Sequence, residues 1–348
     1  MTKILVYAVD YNLMRGLSVL VSELEDQLSR RQQTVAAVDV ADLEVDSLCR
    51  NLTIGGETYP FDEIAEKSLA KFLNVPLTYL KRCEPPFRAG TLNHWIEHFA
   101  EAEVMVETVG NQIVSMHAPE IKVIPLHQIG QMVARNFAPD DTVAFHADDT
   151  HFHMDVVAKT YSVDVPNPDK RPFRPEVGDI TYGGIRFLTY PHTTKAPAVL
   201  PYVERYVCTN GMTTEESLGR IVIKGNTVPE IIDAMEFQAQ YWLQTMDDRL
   251  ARYAHTAHET VPGNPQAFVL ALAHERKLTQ GVVDEIMKTV NQLGDDASVY
   301  DINQAITAVA NMDVNYATRN KLQTLGGSLA FNSAAHTQRC RTCEQFLR

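Results

Sequence analysis

The feature that most constrains this chain is the point where its strand signals stop. Pro201-Tyr-Val-Glu-Arg-Tyr-Val-Cys-Thr-Asn-Gly-Met212 starts as a strand, with Tyr202, Val203, Tyr206 and Val207 as β-formers. It closes on Asn210-Gly211, a dipeptide suited to positive φ, so a tight reversal is expected there. An apolar run with turn signals precedes it (Gly183–Tyr190) and another follows (Gly219–Lys224). Beyond Pro229 only helical spacing remains. This order predicts an α+β fold: a central antiparallel curved sheet with N-terminal helices and a C-terminal helical bundle. The divisions expected are an N-terminal helix-strand region (1–58), an α+β core (59–228) and a C-terminal helical region (229–348).

At 348 residues the chain buries a substantial core. No window approaches about 18 apolar residues, which excludes a membrane-spanning helix. The first apolar run is too short for a signal peptide, and five scattered cysteines suit a reducing compartment, so the expected location is the cytoplasm. Cys340 and Cys343 have the spacing of a zinc or redox pair, but only His336 lies near them. A helical neighbour pair is the simpler reading. The formal charge of −13 is uneven. Residues 1–158 carry 12 basic and 23 acidic side chains, whereas residues 159–224 carry 9 and 7. The β-rich middle therefore has room for a local basic groove.

Apolar residues repeat at helical spacing from Asn12 to Arg31. Candidate strands follow at Val35–Val40 and Leu52–Ile54, the second ending at Gly55-Gly56. A helix from Pro60, a break at Asn74-Val75-Pro76 and a second helix over Leu77–Arg82 outline a helix-turn-helix, with Thr78, Lys81 and Arg82 as its few reading groups. The same outline serves many plain helical corners. A helix at Leu92–Phe99, a hairpin through Glu103–Glu107 and Gln112–Met116, and a helix over Pro125–Asn136 complete this half.

Histidine and aspartate concentrate at His146–Asp155. On a strand, His151, His153 and Asp155 share one face, the pattern of a two-histidine, one-carboxylate metal triad. The simpler reading is the solvated face of a strand whose apolar face is Phe152, Met154 and Val156. Val165–Pro175 is too rich in proline for a central strand and reads as a loop. There Lys170, Arg171 and Arg174 flank Phe173, a combination suited to phosphate contact and base stacking, and equally to a charged hairpin tip. After Pro229 a long helix carries Ile231 to Tyr253 as its buried stripe. Helices follow at Pro265–Glu275, Gln280–Leu293 and Val299–Asn311, and from Asn315 onward with a break at Gly326-Gly327. No glycine-rich phosphate loop, nucleophile elbow or H-E-x-x-H motif occurs, so no cofactor is expected. His255 and His258 sit one turn apart with no evident third ligand, and Cys208 reads as a buried thiol.

The segment Tyr202–Met212 resembles the R-x-V-C-T-N-G-M element of bacteriophage and plasmid proteins grouped as domain of unknown function nine-three-two. Leu69–Leu80, Asn93 with Trp95, and the strand around Val114–Met116 are similar to further parts of that family. The chain departs from it at Thr189-Tyr190-Pro191-His192, where the family has a serine-acid pair, and at Ser115-Met-His-Ala118, where it has an arginine-rich S-D-x-Y element. The resemblance implies a phage setting and, by analogy, single-strand annealing and DNA recombination. The leading expectation is a self-associating protein, a homo-oligomer, that binds single-stranded DNA. Lys170, Arg171, Phe173 and Arg174 would bind it from the loop, with Arg186, Lys195 and Arg205 on neighbouring strands. The alternatives are an assembly protein without ligand and a metal-dependent enzyme using His151, His153 and Asp155.

Overall fold

The computed structural model describes residues 15–16, 33–122, 124, 126–147, 152–165, 179–189, 196–205, 210–213, 223 and 225–337. The described strands are β1 (Arg15–Gly16), β2 (Gln33–Asp39), β3 (Leu43–Val45), β4 (Asn51–Ile54), β5 (Glu57–Pro60), β6 (Glu103–Val109), β7 (Gln112–His117), β8 (Thr142–Ala147), β9 (Phe152–Val165), β10 (Asp179–Thr189), β11 (Ala198–Arg205) and β12 (Asn210–Thr213). The helices are α1 (Glu63–Phe72), α2 (Leu77–Leu80), α3 (Pro85–His98), α4 (Leu126–Asn136), α5 (Val228–Gln244), α6 (Met246–His255), α7 (Pro265–Glu275), α8 (Gln280–Val290), α9 (Val299–Ala310), α10 (Tyr316–Phe331) and α11 (Ser333–Thr337). The fold is α+β, with antiparallel pairing throughout. A six-stranded sheet runs β1-β8-β9-β10-β11-β12, and two three-stranded sheets run β2-β6-β7 and β3-β4-β5.

Three large apolar clusters hold the described parts, and a small fourth joins Leu188, Ala198 and Leu200. The first fills the space between one face of the six-stranded sheet (Phe152, Met154, Val156, Ile185, Phe187, Val199, Val203) and helices α4, α5 and α6. The second joins Val40, Leu43 and Leu52 to Leu69, Leu92 and Met116, so residues on both sides of position 58 share one core. The third lies among α7 to α10, centred on α9, which is buried along almost its whole length.

Local chemistry sets the helix boundaries. The Asp62 carboxylate accepts from the Ile64 and Ala65 amides and starts α1. Ser298 and Asp301 form a reciprocal capping box on α9. The long helix expected after Pro229 is two helices. Thr245 divides them, its hydroxyl bonded to the Tyr241 and Trp242 carbonyls. Conversely, α10 runs straight through Gly326-Gly327, where a break was expected. Both glycines are buried, and Asn303 of α9 donates to the Gly326 carbonyl, so the missing side chains serve close helix packing instead.

Strand positions differ from expectation in two places. Asn210-Gly211 is not a turn: it pairs as the start of β12 against Arg205 and Glu204. Gly183-Gly184 sits inside β10 at a register shift against β9. A Cβ on Gly184 would lie 2.0 Å from the Val156 carbonyl oxygen, and one on Gly183 would meet the Met246 side chain at 2.4 Å. Glycine is required there by close approach. Of the expected helix at 12–31, the described part is Arg15–Gly16, which pairs as a strand with Val143 and Thr142. The expected strand over 219–224 lies outside the described residues save Ile223, which is buried. No helix among the described residues is long and apolar enough to cross a membrane.

Candidate functional site

The second face of the six-stranded sheet carries the most concentrated chemistry. Alternation puts His153 and Asp155 of β9, Arg186 of β10, and Tyr202 and Glu204 of β11 on this face, opposite the apolar set. The face is not solvated: Asp155 and Arg186 are 0 and 1 % exposed. Tyr316, Asn320 and Gln323 of α10, spaced i, i+4 and i+7, supply a matching polar stripe. Arg186 grips Asp155 through both arms, Nε to Oδ1 at 2.5 Å and Nη2 to Oδ2 at 2.6 Å. It donates further to Gln323 (2.9 Å) and Asn320 (3.3 Å), and its guanidinium lies 5.2 Å from the Tyr202 ring centroid. The planar fork of arginine makes such two-armed pairing possible.

His153 packs its ring on Tyr316, with Nδ1 and the phenol oxygen 3.0 Å apart, while Nε2 is 3.8 Å from Asp155 Oδ2. Glu204 is also buried, and its Oε2 has no hydrogen-bond partner among the described residues. Burial, with the nearby Asp155 charge, pushes its carboxyl up to about 8, against the opposing pull of a Tyr202 hydrogen bond and the Arg186 charge. At neutral pH the cluster therefore holds one ion pair and one protonated acid.

A second buried pair occupies the β6–β7 hairpin. His117 Nε2 lies 3.6 Å from Glu107 Oε1, and Ser115 stands opposite Glu107 in the register. Burial works against the imidazolium. Hydrogen bonding to Glu107 and to the Ala118 carbonyl outweighs it and raises the His117 pKa.

These positions revise the sequence reading of the site. Arg186 and Arg205 are buried, so neither offers its guanidinium to a phosphate: Arg186 is held as above, and Arg205 donates to Gln304 of α9 at 3.2 Å. His153 and Asp155 point to one side as expected, but Asp155 has both oxygens on Arg186, which occupies the place a metal ion would take; His151 lies outside the described residues. Lys170, Arg171, Phe173, Arg174 and Lys195 also lie outside them, as do Cys208, Cys340 and Cys343. The helix-turn-helix outline is a corner whose second helix, α2, is a single turn, and Lys81 is paired with Glu63 of α1 at 3.0 Å.

Sequence reasoning missed Tyr316, Asn320 and Gln323. Their helical spacing on α10 was the available signal. The partnership of His117 with Glu107 carried no local signal, because a hairpin register creates it. The chain matches no family model, no curated protein and no solved structure in comparisons with each.

Proposed function

We propose that this chain binds single-stranded nucleic acid through the connection between β9 and β10, and that it does so as a homo-oligomer. The observation that carries the reading is the form of that hairpin. β8 pairs with β9 only as far as Val157, and beyond Ala158 the exposure of β9 changes from continuous burial to a largely open pattern. The ladder continues to Val165 opposite Asp179, and the 13 residues between them hold Lys170, Arg171, Phe173 and Arg174. The stretch that joins these two strand ends thus carries, in sequence, three cations and an aromatic ring, in a chain whose formal charge is −13. The cations would displace counterions from backbone phosphates while Phe173 stacked on a base. Self-association has support from the outer face of α5, where Phe237 and Tyr241 are 72 and 44 % exposed. The resemblance to the phage and plasmid family extends the reading to strand annealing in the cytoplasm.

Anisotropy titration of a labelled oligothymidine at low salt tests the site. Replacing Lys170, Arg171 and Arg174 together by Ala is expected to abolish most of the affinity. It should also flatten the slope of log affinity against log salt by about 2, from roughly 0.7 per lost phosphate contact. No single-strand binding at low salt, or a triple variant that binds like the parent, overturns the reading.

A further inference from the structure

Away from the hairpin, an open cleft of about 440 Å³ lies between α6 and the junction of α10 with α11. That volume falls within the roughly 300–1,000 Å³ typical of small-ligand sites. Helix α6 commits Leu250 and Tyr253 to the core, which leaves Ala251, Arg252 and His255 on its outer side. Ala330 and Phe331 at the end of α10, with Glu259 and Ser333, complete its lining. Arg252 is exposed, and among the described residues no ion pair joins it to a carboxylate. His255 Nε2 lies 3.9 Å from Glu259 Oε1, a loose contact that leaves the imidazole accessible.

These groups suit one kind of ligand. An uncommitted guanidinium beside a histidine ring accepts a phosphate, since its N–H fork matches two phosphate oxygens. A phenylalanine wall accepts the flat face of a base. The Glu259 carboxylate suits pairing with sugar hydroxyls. The cleft holds one such unit and is too small for a folded strand. We infer that it is a mononucleotide-binding site, with the phosphate on Arg252 and His255 and the base against Phe331. The inference stands on residues separate from the strand-binding reading and shares only its ligand chemistry. The nucleotide is either free or the phosphorylated end of a strand.

Calorimetric titration of the full chain with a nucleoside monophosphate, with inorganic phosphate, and with oligonucleotides carrying or lacking a terminal phosphate tests this. The monophosphate should bind more tightly than inorganic phosphate. Arg252→Ala should weaken it by about tenfold or more, the scale of one charge-assisted hydrogen bond. Ala251→Phe should abolish binding by filling the cleft. Both positions are exposed, so unchanged melting temperatures will show that the variants remain folded. The triple alanine variant at the hairpin should leave nucleotide binding intact, which separates this site from the strand site. Preference for the phosphorylated oligonucleotide identifies strand ends as the source, and binding of the free nucleotide alone identifies the monomer; each supports the site. No monophosphate binding at millimolar concentration, phosphate binding as well as nucleotide, or indifference to Arg252→Ala and Ala251→Phe overturns it.

Discussion

The two halves of β9 show one strand in two environments. From Phe152 to Ala158 every residue is buried, between apolar helices on one face and the α10 polar stripe on the other. From Lys159 to Asp164 the same strand is largely open, past the end of β8. Charge is treated accordingly. In the inner half Asp155 is held by a dedicated arginine, whereas Asp164 in the outer half is left to water. Burial, more than residue type, decides what a carboxylate contributes, because a desolvated charge must be paired and a hydrated one need not be.

The largest effect should come from Asp155→Ala, which leaves the Arg186 guanidinium buried without its counter-charge. Urea unfolding should show a loss of about 3–5 kcal/mol. Asp164→Ala, nine residues along, should stay within about 0.5 kcal/mol, and equal effects at the two sites would end the contrast. Gly184→Ala places a methyl group against the Val156 carbonyl. Overpacking of this kind is expected to lower stability by about 1–3 kcal/mol or to shift the register, and a melting curve identical to the parent would show that the strands are not so close.

Glu204 sharpens the inner half through pH. Burial pushes its carboxyl up to about 8 in the folded state, above the ordinary glutamate range of the unfolded chain, so between those values the folded state holds a proton that the unfolded state has lost. Stability therefore falls as pH rises across that window, by up to about 1.4 kcal/mol per unit. The raised pKa of His117 acts in the same direction above the ordinary histidine range, since its folded form also retains a proton longer. Denaturation series at pH 5 to 8 should show Glu204→Gln with a shallower decline than the parent, and parallel curves would remove Glu204 as the cause. The smallest effect on stability belongs to the hairpin connection. The triple substitution of Lys170, Arg171 and Arg174 by Ala should move the unfolding midpoint by less than about 0.5 kcal/mol while reducing strand binding.

The parts legible in the sequence are those set by neighbours along the chain. The β6–β7 hairpin, the start of α1 after Pro60-Phe61-Asp62, and α7 over Pro265–Glu275 all follow from local spacing and capping chemistry. Alternation correctly divided Phe152, Met154 and Val156 from His153 and Asp155. It could not show that α10, more than 150 residues later, covers the second face and turns a solvated surface into an interior. For the same reason Arg186 and Arg205 read as surface cations: a sequence records charge, but their partners Asp155 and Gln304 come from other elements. Glycine carried the opposite ambiguity. Gly326-Gly327 and Gly183-Gly184 read as punctuation, yet both pairs mark places where backbone meets a neighbour closely.

Copies that paired through Phe237 and Tyr241 on the outer face of α5, as proposed, would recognise one another by side-chain shape rather than by strand addition, so assembly could stop at a closed number of subunits.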